Sequence, residues 1–529
     1  MSSSGDQNRK PMCRSVWLRR QRAKMTEHHG STVSLAGTRG PLCQKGDTKF
    51  AGNTAPVLEL DKLPEDVLHH IHSLVPLRDA ARAACVSHRF LRSWRRFPNL
   101  TFNWETFRLN LDGGPLCERA KKFANGIHHI LQNHSGTGVK TLDLQVRPCG
   151  DVITANHLDI WLQAAVKSGI IKLALDIPRI QSIRFNFSCS LISSAASSLQ
   201  SFSLSYCGFH PTPTIGCLRS LKNVSLTLVH ISEDELGCFF DCTISLEKLE
   251  VALCDDITFL KIPSHLHQLR ILRVFVCRRL QVIEINAPKV STFLFRAPPM
   301  KISISNPSQL KNMTMNGQCY SGMFQYALTK LQPITSNLQT LTLLSSVEAL
   351  NMPVSPDRFL HLRNLKIYCC GMDNFDYFSL VYFLKACPTL ESFFLSAGPH
   401  FDLRRDSIIH EYSHADSLHR RRTAEFHQSN LKKVTITGFC SAKSLIELTC
   451  LILESSSSLR FLVLDTTGGY DNTGICDCME REAVMEALRG VEAIKKYIKG
   501  KVPSSVHLEV LEPCGRCHIP KLRKLGPAR

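Results

Sequence analysis

The 529 residues are 43% hydrophobic and 21% charged, the composition of a folded protein with ample material for a core. No apolar run approaches the roughly 18 uninterrupted residues of a membrane helix, and the N-terminus lacks the apolar segment of a secretory signal, so we expect no membrane partner. These features favour a reducing compartment, the nucleus, the cytoplasm or both, in which the 22 cysteines are mostly thiols.

The formal net charge of +19 is unevenly distributed along the chain. Residues 1–50 carry +7 and the last nine residues, KLRKLGPAR, carry +4, so the chain between them carries the remaining +8. We interpret residues 1–56 as a basic, disordered leader. A nuclear import signal is the alternative, and contact with nucleic acid is the least favoured interpretation.

Three helices are predicted within residues 60–94, LDKLPEDVLHHIHSLVPLRDAARAACVSHRFLRSW. Pro64 suits a first helical position, where no N–H is needed, and Pro76 ends that helix. Asp79 and Ser87 are candidate N-caps of the second and third helices. A unit of about forty residues is too small to bury its own apolar faces, so another surface should cover them.

The first helix is predicted to place His69 and His72 beside its polar face, where we expect no metal site. Its apolar residues recur at i, i+1, i+4 and i+7, the spacing of one helix face. They are Val67, Leu68, Ile71 and Leu74.

This segment resembles an F-box, the short trihelical module with which substrate-recognition subunits dock on the SKP-type adaptor of cullin–RING ubiquitin ligases. The matching features are an opening Leu-Pro with an acidic residue, a central aliphatic row, a Val-Ser step and a closing Trp. We assign residues 57–107 to the F-box, with a helical cap on the next domain as the alternative. The resemblance implies that the adaptor contacts Leu63, Pro64, Glu65, Val67, Leu68, Ile71, Leu74, Val86, Leu91 and Trp94.

A short pattern, L-x-x-L-x-L, recurs through the rest of the chain. Successive copies start mostly 20 to 28 residues apart, which is the range of leucine-rich repeats. Each copy predicts one strand whose apolar residues need neighbouring copies to cover them. VKTLDL at Val139 and IIKLAL at Ile170 are compatible early copies. The others start at Leu199, Leu221, Leu246, Leu269, Val290, Leu310, Leu338, Leu362, Leu390, Leu431 and Leu459.

Four copies extend to L-x-x-L-x-L-x-x-C, with Cys207, Cys254, Cys277 and Cys370 eight residues after the first apolar residue. Chance predicts about half a cysteine at that offset in eleven copies, so the excess is informative. The pattern resembles cysteine-bearing leucine-rich repeats, which implies that these thiols are buried in the turn leaving the strand and hold no metal.

We therefore expect an α/β fold, a small trihelical F-box followed by a leucine-rich-repeat solenoid, with a curved parallel sheet and with helices and loops on the convex side. Irregular repeats fill residues 108–429, with a solvated polar insertion near 401–429, and Ser232 is a predicted helix cap. Residues 430–465 resemble the FBD segment of plant F-box proteins of this repeat type, in the order strand, helix, strand. Residues 466–529 are assigned to a terminal cap and a basic tail.

The motifs of common active sites are missing from the sequence, including phosphate-binding glycine loops, H-E-x-x-H and G-x-S-x-G. The C-terminal part offers potential zinc ligands, but C-x-C spacing is awkward for a small zinc site, and we favour free thiols. We therefore expect no enzyme activity, no metal and no cofactor. The potential ligands are Cys476, Cys478, Cys514, Cys517 and His518.

The resemblance implies a substrate-recognition subunit of an SCF-type ubiquitin ligase, which holds an unknown target protein on its concave sheet face. Alternate strand residues face that side, and we predict that Arg273, Phe275, Tyr368 and Phe394 contribute to target binding. Two other functions remain open. One is an interaction scaffold outside any ligase, and the other is a zinc-binding or nucleic-acid-binding protein that uses the basic, cysteine-rich tail.

Overall fold

A computed structural model describes most of the chain after residue 62, and all described residues belong to one structural unit, Lys62–Arg529. The leader predicted at 1–56 lies outside the described residues, as do most of the insertion at 401–429 and the last fifteen residues. The described ranges are 63–110, 113–135, 138–146, 152–166, 169–177, 185–317, 320–331, 334–345, 350, 359–369, 375–398, 406–409, 421, 427–467 and 479–514.

Three short helices open the described part, α1 (Glu65–Leu74), α2 (Leu77–Val86) and α3 (His88–Trp94). Proline sets two of the three starts, because its fixed φ and missing N–H suit a helix N-terminus. Val75 is extended, as expected of a residue before proline, and this ends α1. The prediction of Asp79 as an N-cap is wrong, because α2 begins two residues earlier and places Asp79 in its first turn.

The main element is a parallel sheet of fifteen strands, each paired in register with the next in space. The strands are β1 (Asn99–Phe102), β2 (Thr141–Gln145), β3 (Lys172–Asp176), β5 (Ser201–Ser205), β7 (Asn223–Thr227), β8 (Lys248–Ala252), β10 (Ile271–Phe275), β12 (Thr292–Arg296), β14 (Asn312–Gly317), β15 (Thr340–Ser345), β16 (Asn364–Cys369), β17 (Ser392–Ser396), β18 (Lys433–Thr437), β19 (Phe461–Asp465) and β20 (His507–Leu511).

Every predicted repeat contains one of these strands, so the repeat pattern is confirmed. Buried and part-exposed residues alternate along most of these strands, for example Leu272 and Val274 against Arg273 in β10. The sequence pattern missed β1 and β20 at the two ends of the sheet. Because β1 lies within residues 57–107, the sheet begins before the expected end of the F-box.

Helices cover the buried side of the sheet and share its core, as with Trp161 and Phe239. The N-cap prediction at Ser232 is confirmed, since its hydroxyl accepts from the Glu235 backbone N–H and the Glu235 carboxylate accepts from the Ser232 N–H at 2.7 Å. The helices are α4 (Leu116–Asn133), α5 (Ala155–Ala165), α6 (Cys189–Ala195), α7 (Glu233–Asp241), α8 (Met323–Lys330), α9 (Val381–Ala386), α10 (Lys443–Ser455) and α11 (Arg481–Ala493).

In the shortest repeats the returning segment is a strand where helices and loops were expected. These repeats start 20 to 23 residues apart between Leu246 and Leu310, which leaves no room for a helix after the strand and its turns. Their returning segments form a second parallel sheet of β9 (Phe259–Ile262), β11 (Val282–Ile285) and β13 (Lys301–Ile304). A two-stranded sheet joins β4 (Asn186–Phe187) and β6 (Gly208–Phe209).

A left-handed residue follows four successive central strands, at Tyr206, Leu228, Leu253 and Val276, with φ between 54° and 59°. Such values are uncommon for residues other than glycine, so their repetition marks a turn that the neighbouring repeats hold in place. The N–H of Leu253, for example, donates to the Phe275 carbonyl at 2.7 Å and so joins the turn to the next repeat.

Three of the predicted cysteines, Cys207, Cys254 and Cys277, directly follow the left-handed residue of this turn, and all three are buried. The Cys254 thiol donates to the carbonyls of Ala252 and Leu226, at 3.5 and 3.7 Å. Burial raises the pKa of Cys254 to about 11 and those of Cys207 and Cys277 to about 12, so these are inert structural thiols. Cys370 lies outside the described residues.

Residues 430–465 adopt the predicted order, β18, α10 and β19, and α11 then packs over them. Glu486 of α11 is 1% exposed, and its Oε1 accepts from the backbone N–H and the hydroxyl of Ser441, at 2.9 and 2.6 Å. A π-helical turn, Ile494–Ile498, carries the chain on toward β20, and Ile494 and Ile498 enter the main core. The main core therefore extends through this turn as far as the last strands of the sheet.

Candidate adaptor-binding and target-binding surfaces

His72 lies at the centre of the three F-box helices and is 2% exposed, so its expected place beside the polar face of α1 is wrong. Its Nε2–H donates to the Ala80 carbonyl at 2.9 Å, and Nδ1 accepts from the Ser93 hydroxyl at 2.8 Å. The rings of Phe90 and Phe97 pack against it. Burial lowers the pKa of His72, so the neutral imidazole joins all three helices.

The helical unit is fastened to the start of the repeats. Leu77 and Ala80 of α2 enter the main core with Phe97, and the Asn99 amide donates to the Ser73 carbonyl at 3.0 Å. On the surface, Glu65 pairs with Arg92 at 2.9 Å, with both side chains largely exposed. The F-box therefore stands on β1, and its remaining surface is turned away from the core.

The ten predicted adaptor-binding residues separate into three groups by exposure. Leu68 is 3% exposed and packs inside the unit, so it supports the surface and does not contribute to it. Leu63, Leu91 and Trp94 are half-buried. The exposed residues are Pro64, Glu65, Val67, Ile71, Leu74 and Val86.

Exposed apolar side chains are concentrated in this small unit. Of eleven large apolar residues that are exposed in the described chain, five lie within residues 67–86. Leu74 is 71% exposed and Val86 is 83% exposed, the two highest values of the set. Sequence reasoning missed Val75, the extended residue before Pro76, whose side chain is 37% exposed. Clustered exposed apolar groups of this kind mark interaction sites.

The open face of the sheet is defined here as the side that carries the part-exposed alternate residues of β1 to β20. All four predicted target-binding residues lie on it and are half-buried. The Arg273 guanidinium contacts the Glu250 carboxylate at 3.2 Å, and the ring centroids of Tyr368 and Phe394 are 5.3 Å apart. The structure thus brings together Tyr368 and Phe394, and places Arg273 with Phe275 on β10.

The two pairs do not form one compact cluster. Between β10 and β16 lie β12, β14 and β15, four strand steps that amount to about 19 Å. Leu294 pairs in register with Arg273, and Leu344 with Tyr368, so both extend the pairs toward each other. Sequence reasoning missed these two leucines. Each stands next to an inward apolar residue in its repeat, Leu294 in VSTFLF and Leu344 at the end of LTLL, and this position could have identified them.

The polar insertion is more firmly attached than its composition suggested. Arg421, one of its few described residues, contacts the carboxylates of Asp376 at 2.5 Å and Glu447 at 3.4 Å. Gln428 is 1% exposed and donates to the carbonyls of Leu384 and Cys387. The charge of Arg421 is therefore paired within the chain, while its side chain remains half exposed to solvent.

No three His, Cys, Asp or Glu side chains converge as a metal site in the part of the chain that the structure describes. Of the potential zinc ligands, Cys514 is half-buried, and Cys476, Cys478, Cys517 and His518 lie outside the described residues. The described cysteines form no disulfide bond. None of the described helices has the length and apolar character needed to cross a membrane.

Comparison with known proteins agrees with this arrangement. Residues 60–102 match the family model for the F-box domain, and residues 130–515 match the model for the At1g61320/AtMIF1 LRR domain, which covers more than half of the chain. Both matches fall on the elements described above, the three helices with β1 and the long parallel sheet.

Curated relatives come from Arabidopsis thaliana. They include F-box protein At5g03100, 24% identical over 39% of this chain and 60% of its own length. F-box/FBD/LRR-repeat protein At2g04230 is 26% identical over 37% and 42%, and F-box/LRR-repeat protein At5g02910 is 23% identical over 54% and 59%. The chain thus spans about 40% to 60% of the length of these relatives. It belongs to the family of F-box proteins that carry a leucine-rich-repeat domain of the At1g61320/AtMIF1 type.

Proposed function

We propose that this protein is the substrate-recognition subunit of an SCF-type ubiquitin ligase and docks on a SKP-type adaptor through α1, α2 and α3. One observation carries the proposal, the concentration of exposed apolar side chains in this small unit, with Leu74 and Val86 the most exposed. Burying apolar surface contributes about 25 cal/mol per Å², so these side chains favour a partner that covers them.

In this proposal the chain makes and breaks no bonds itself. The F-box holds the adaptor and through it the cullin–RING ligase, while the open face holds the target protein. Holding a target lysine near a charged conjugating enzyme raises its effective concentration, and this proximity is the mechanism. We further propose that the protein acts in the nucleus, the cytoplasm or both, where thiols such as Cys254 stay reduced.

Co-purification with a SKP-type adaptor tests the docking step. We expect Leu74→Asp with Val86→Asp to abolish adaptor binding without unfolding the chain, because both side chains are exposed. Leu360→Asp is the matched control, since Leu360 is 53% exposed in the repeats and should leave adaptor binding unchanged. If the double variant keeps the adaptor, the chain is better described as an interaction scaffold outside the ligase.

Target binding on the open face has a separate test. We expect Tyr368→Ala with Phe394→Ala to reduce ubiquitin transfer to target proteins in a reconstituted ligase while adaptor binding stays intact. The control is Thr435→Ala on β18, a residue of the same face. Equal transfer by both variants would move the target elsewhere on the molecule.

A further inference from the structure

Basic side chains form a row along the edge of the main sheet at which its parallel strands begin. The row is defined by the residue that directly precedes six of the strands, β7, β10, β14, β16, β18 and β19. At these positions stand Lys222, Arg270, Lys311, Arg363, Lys432 and Arg460, and all six are exposed. We call them the basic row.

The basic row is held by the backbone from strand to strand. At this position the N–H of one repeat donates to the carbonyl of the repeat before it, as from Lys311 to Ser291 at 3.0 Å and from Arg460 to Lys432 at 2.9 Å. The same bonds join Gln339 to Lys311 and Arg363 to Gln339. The backbone positions of the basic row are therefore spaced by the sheet, at about 4.8 Å per strand.

Charge in this region is strongly one-sided. Two acids, Glu247 and Glu391, occupy the same position in β8 and β17, while Lys248 and Lys433 add two cations as first residues of strands. The edge from β7 to β19 therefore carries a net +6, of the +8 that the chain carries between residue 50 and the basic tail. This edge of the sheet is therefore strongly basic.

Part of the basic row is neutralised within the chain. Glu391 contacts Lys432 at 3.0 Å and Arg363 at 3.7 Å, and Glu247 contacts Lys222 at 3.4 Å. These pairs are exposed and contribute little to stability. Within the described residues no ion pair involves Arg270, Lys311 or Arg460. Their charge remains available to a partner.

Two cavities open on the basic row. One, of about 290 Å³, lies between Lys311 and Arg363 and is lined by Asn337, Gln339 and Thr389. The other, of about 740 Å³, lies at β18 to β20. It is lined by Lys432, Arg460, Ser457, Ser458, Ser504 and Ser505.

None of the described residues that line either cavity is Asp or Glu. Cations interspersed with hydroxyl and amide groups are the donors that bind carboxylates. The two cavities are centred about four strands apart, which corresponds to roughly 19 Å, or about six residues of an extended chain. An extended polypeptide with acidic side chains at that spacing would place one in each cavity.

We propose that the basic row binds an extended acidic segment of the target protein, an inference that rests on the proposed function and specifies its substrate class. The segment runs across the strands, and Asp or Glu side chains reach the two cavities. Single-stranded nucleic acid fits less well, because its bases require aromatic side chains to stack on. Among the described residues that line the two cavities, the aromatic rings are Phe461 and His507 at one cavity and His361 at the other, too few to stack a run of bases.

Fluorescence anisotropy tests the proposal with a labelled glutamate-rich peptide of about 14 residues, long enough to span the roughly 43 Å from β7 to β19. The full chain is titrated with this probe, both alone and together with a SKP-type adaptor. We expect Lys311→Glu with Arg460→Glu to weaken binding about tenfold, and binding to fall with added salt. The control is Lys261→Glu with Lys301→Glu, the same charge change on exposed residues of β9 and β13, which should change affinity less than about twofold.

Equal loss of affinity in both variants would overturn the proposal, because it would reflect net charge alone. Equally tight binding of a single-stranded oligonucleotide of the same charge would also overturn it, since the edge would then bind any polyanion. Failure of this inference is distinguishable from failure of the proposed function. The variant with Leu74→Asp and Val86→Asp should lose adaptor binding and keep peptide binding. The variant with Lys311→Glu and Arg460→Glu should keep adaptor binding and lose peptide affinity.

Discussion

Apolar side chains are placed in opposite ways in the F-box and in the repeats. In the repeats the inward residues of neighbouring strands cover one another, and Leu272 and Phe293, side by side in register, are both 0% exposed. In the F-box, Leu74 and Val86 are exposed by 71% and 83%. The repeats are completed by their own neighbours, whereas the described residues leave the F-box surface uncovered.

The difference teaches how a small module remains folded with part of its apolar surface open. Leu77 and Ala80 of the F-box pack into the core of the repeats, and His72 joins the three F-box helices from within. The exposed apolar side chains are thus not needed to hold the F-box together in the free chain. A partner that covers them adds binding energy without changing the fold.

The largest effect should come from a residue inside the sheet. We expect Phe293→Ala in β12 to lower the free energy of unfolding by about 3–5 kcal/mol, because it leaves a cavity among close-packed repeats. Leu74→Ala, the matched change on the F-box surface, should cost less than about 0.5 kcal/mol. Urea unfolding followed by circular dichroism measures both, and equal costs would break the contrast between the two regions.

The C-terminal end of the sheet should show an intermediate effect. We expect Glu486→Ala to cost about 1.5–3 kcal/mol, since it leaves the buried N–H and hydroxyl of Ser441 without this acceptor. Glu492→Ala, in the same helix but exposed, is the control. The same unfolding experiment compares them. A cost for Glu486→Ala no larger than that of the control would mean that α11 is not fastened through this contact.

A helix cap within the repeats should have a smaller effect. We expect Ser232→Ala to cost about 1 kcal/mol, because the Glu235 N–H loses its acceptor and the capping box is broken. Ser264→Ala, an exposed serine in a turn, should be neutral within about 0.5 kcal/mol. Hydrogen exchange of α7 provides the readout, and unchanged protection in the Ser232 variant would contradict the assignment.

The smallest effect is a pH dependence confined to the F-box. Burial lowers the pKa of His72 in the folded chain, so the unfolded chain binds more protons and stability falls as the pH drops below about 6.5. From pH 7 to pH 6 one such group removes at most about 0.7 kcal/mol. Hydrogen exchange of α1 to α3 measures it. The variant His72→Gln should lose this pH dependence, whereas the control His88→Gln, at an exposed position, should retain it. Loss of the pH dependence in the His88 variant alone would refute the assignment to His72.

Much of the fold was predictable because the repeats impose their own period on the sequence. Each apolar triplet, such as Leu269, Leu272 and Val274, must face inward, and one strand per repeat follows directly. β20 was not predictable, because Leu508 and Val510 end the sheet without a full repeat pattern. The second sheet was missed because a four-residue segment such as Phe259–Ile262 carries too little periodicity to identify.

The candidate surfaces were predictable to a lesser degree. The apolar face of α1 follows from helical spacing, but spacing cannot distinguish Leu68, which is buried, from Ile71, which is 39% exposed. The basic row is invisible in the sequence, because Lys311 and Arg460 are far apart along the chain and only the register of the strands aligns them.

The sequence by itself determined the F-box, the repeat register, the inward residues and the buried thiols, because each depends on local spacing that a residue's neighbours dictate. Tertiary structure alone decided which side chains meet across strands, that His72 is buried and that Arg421 is paired. These outcomes depend on contacts between residues distant in the chain, and their free energies are set by packing and desolvation that no local pattern encodes.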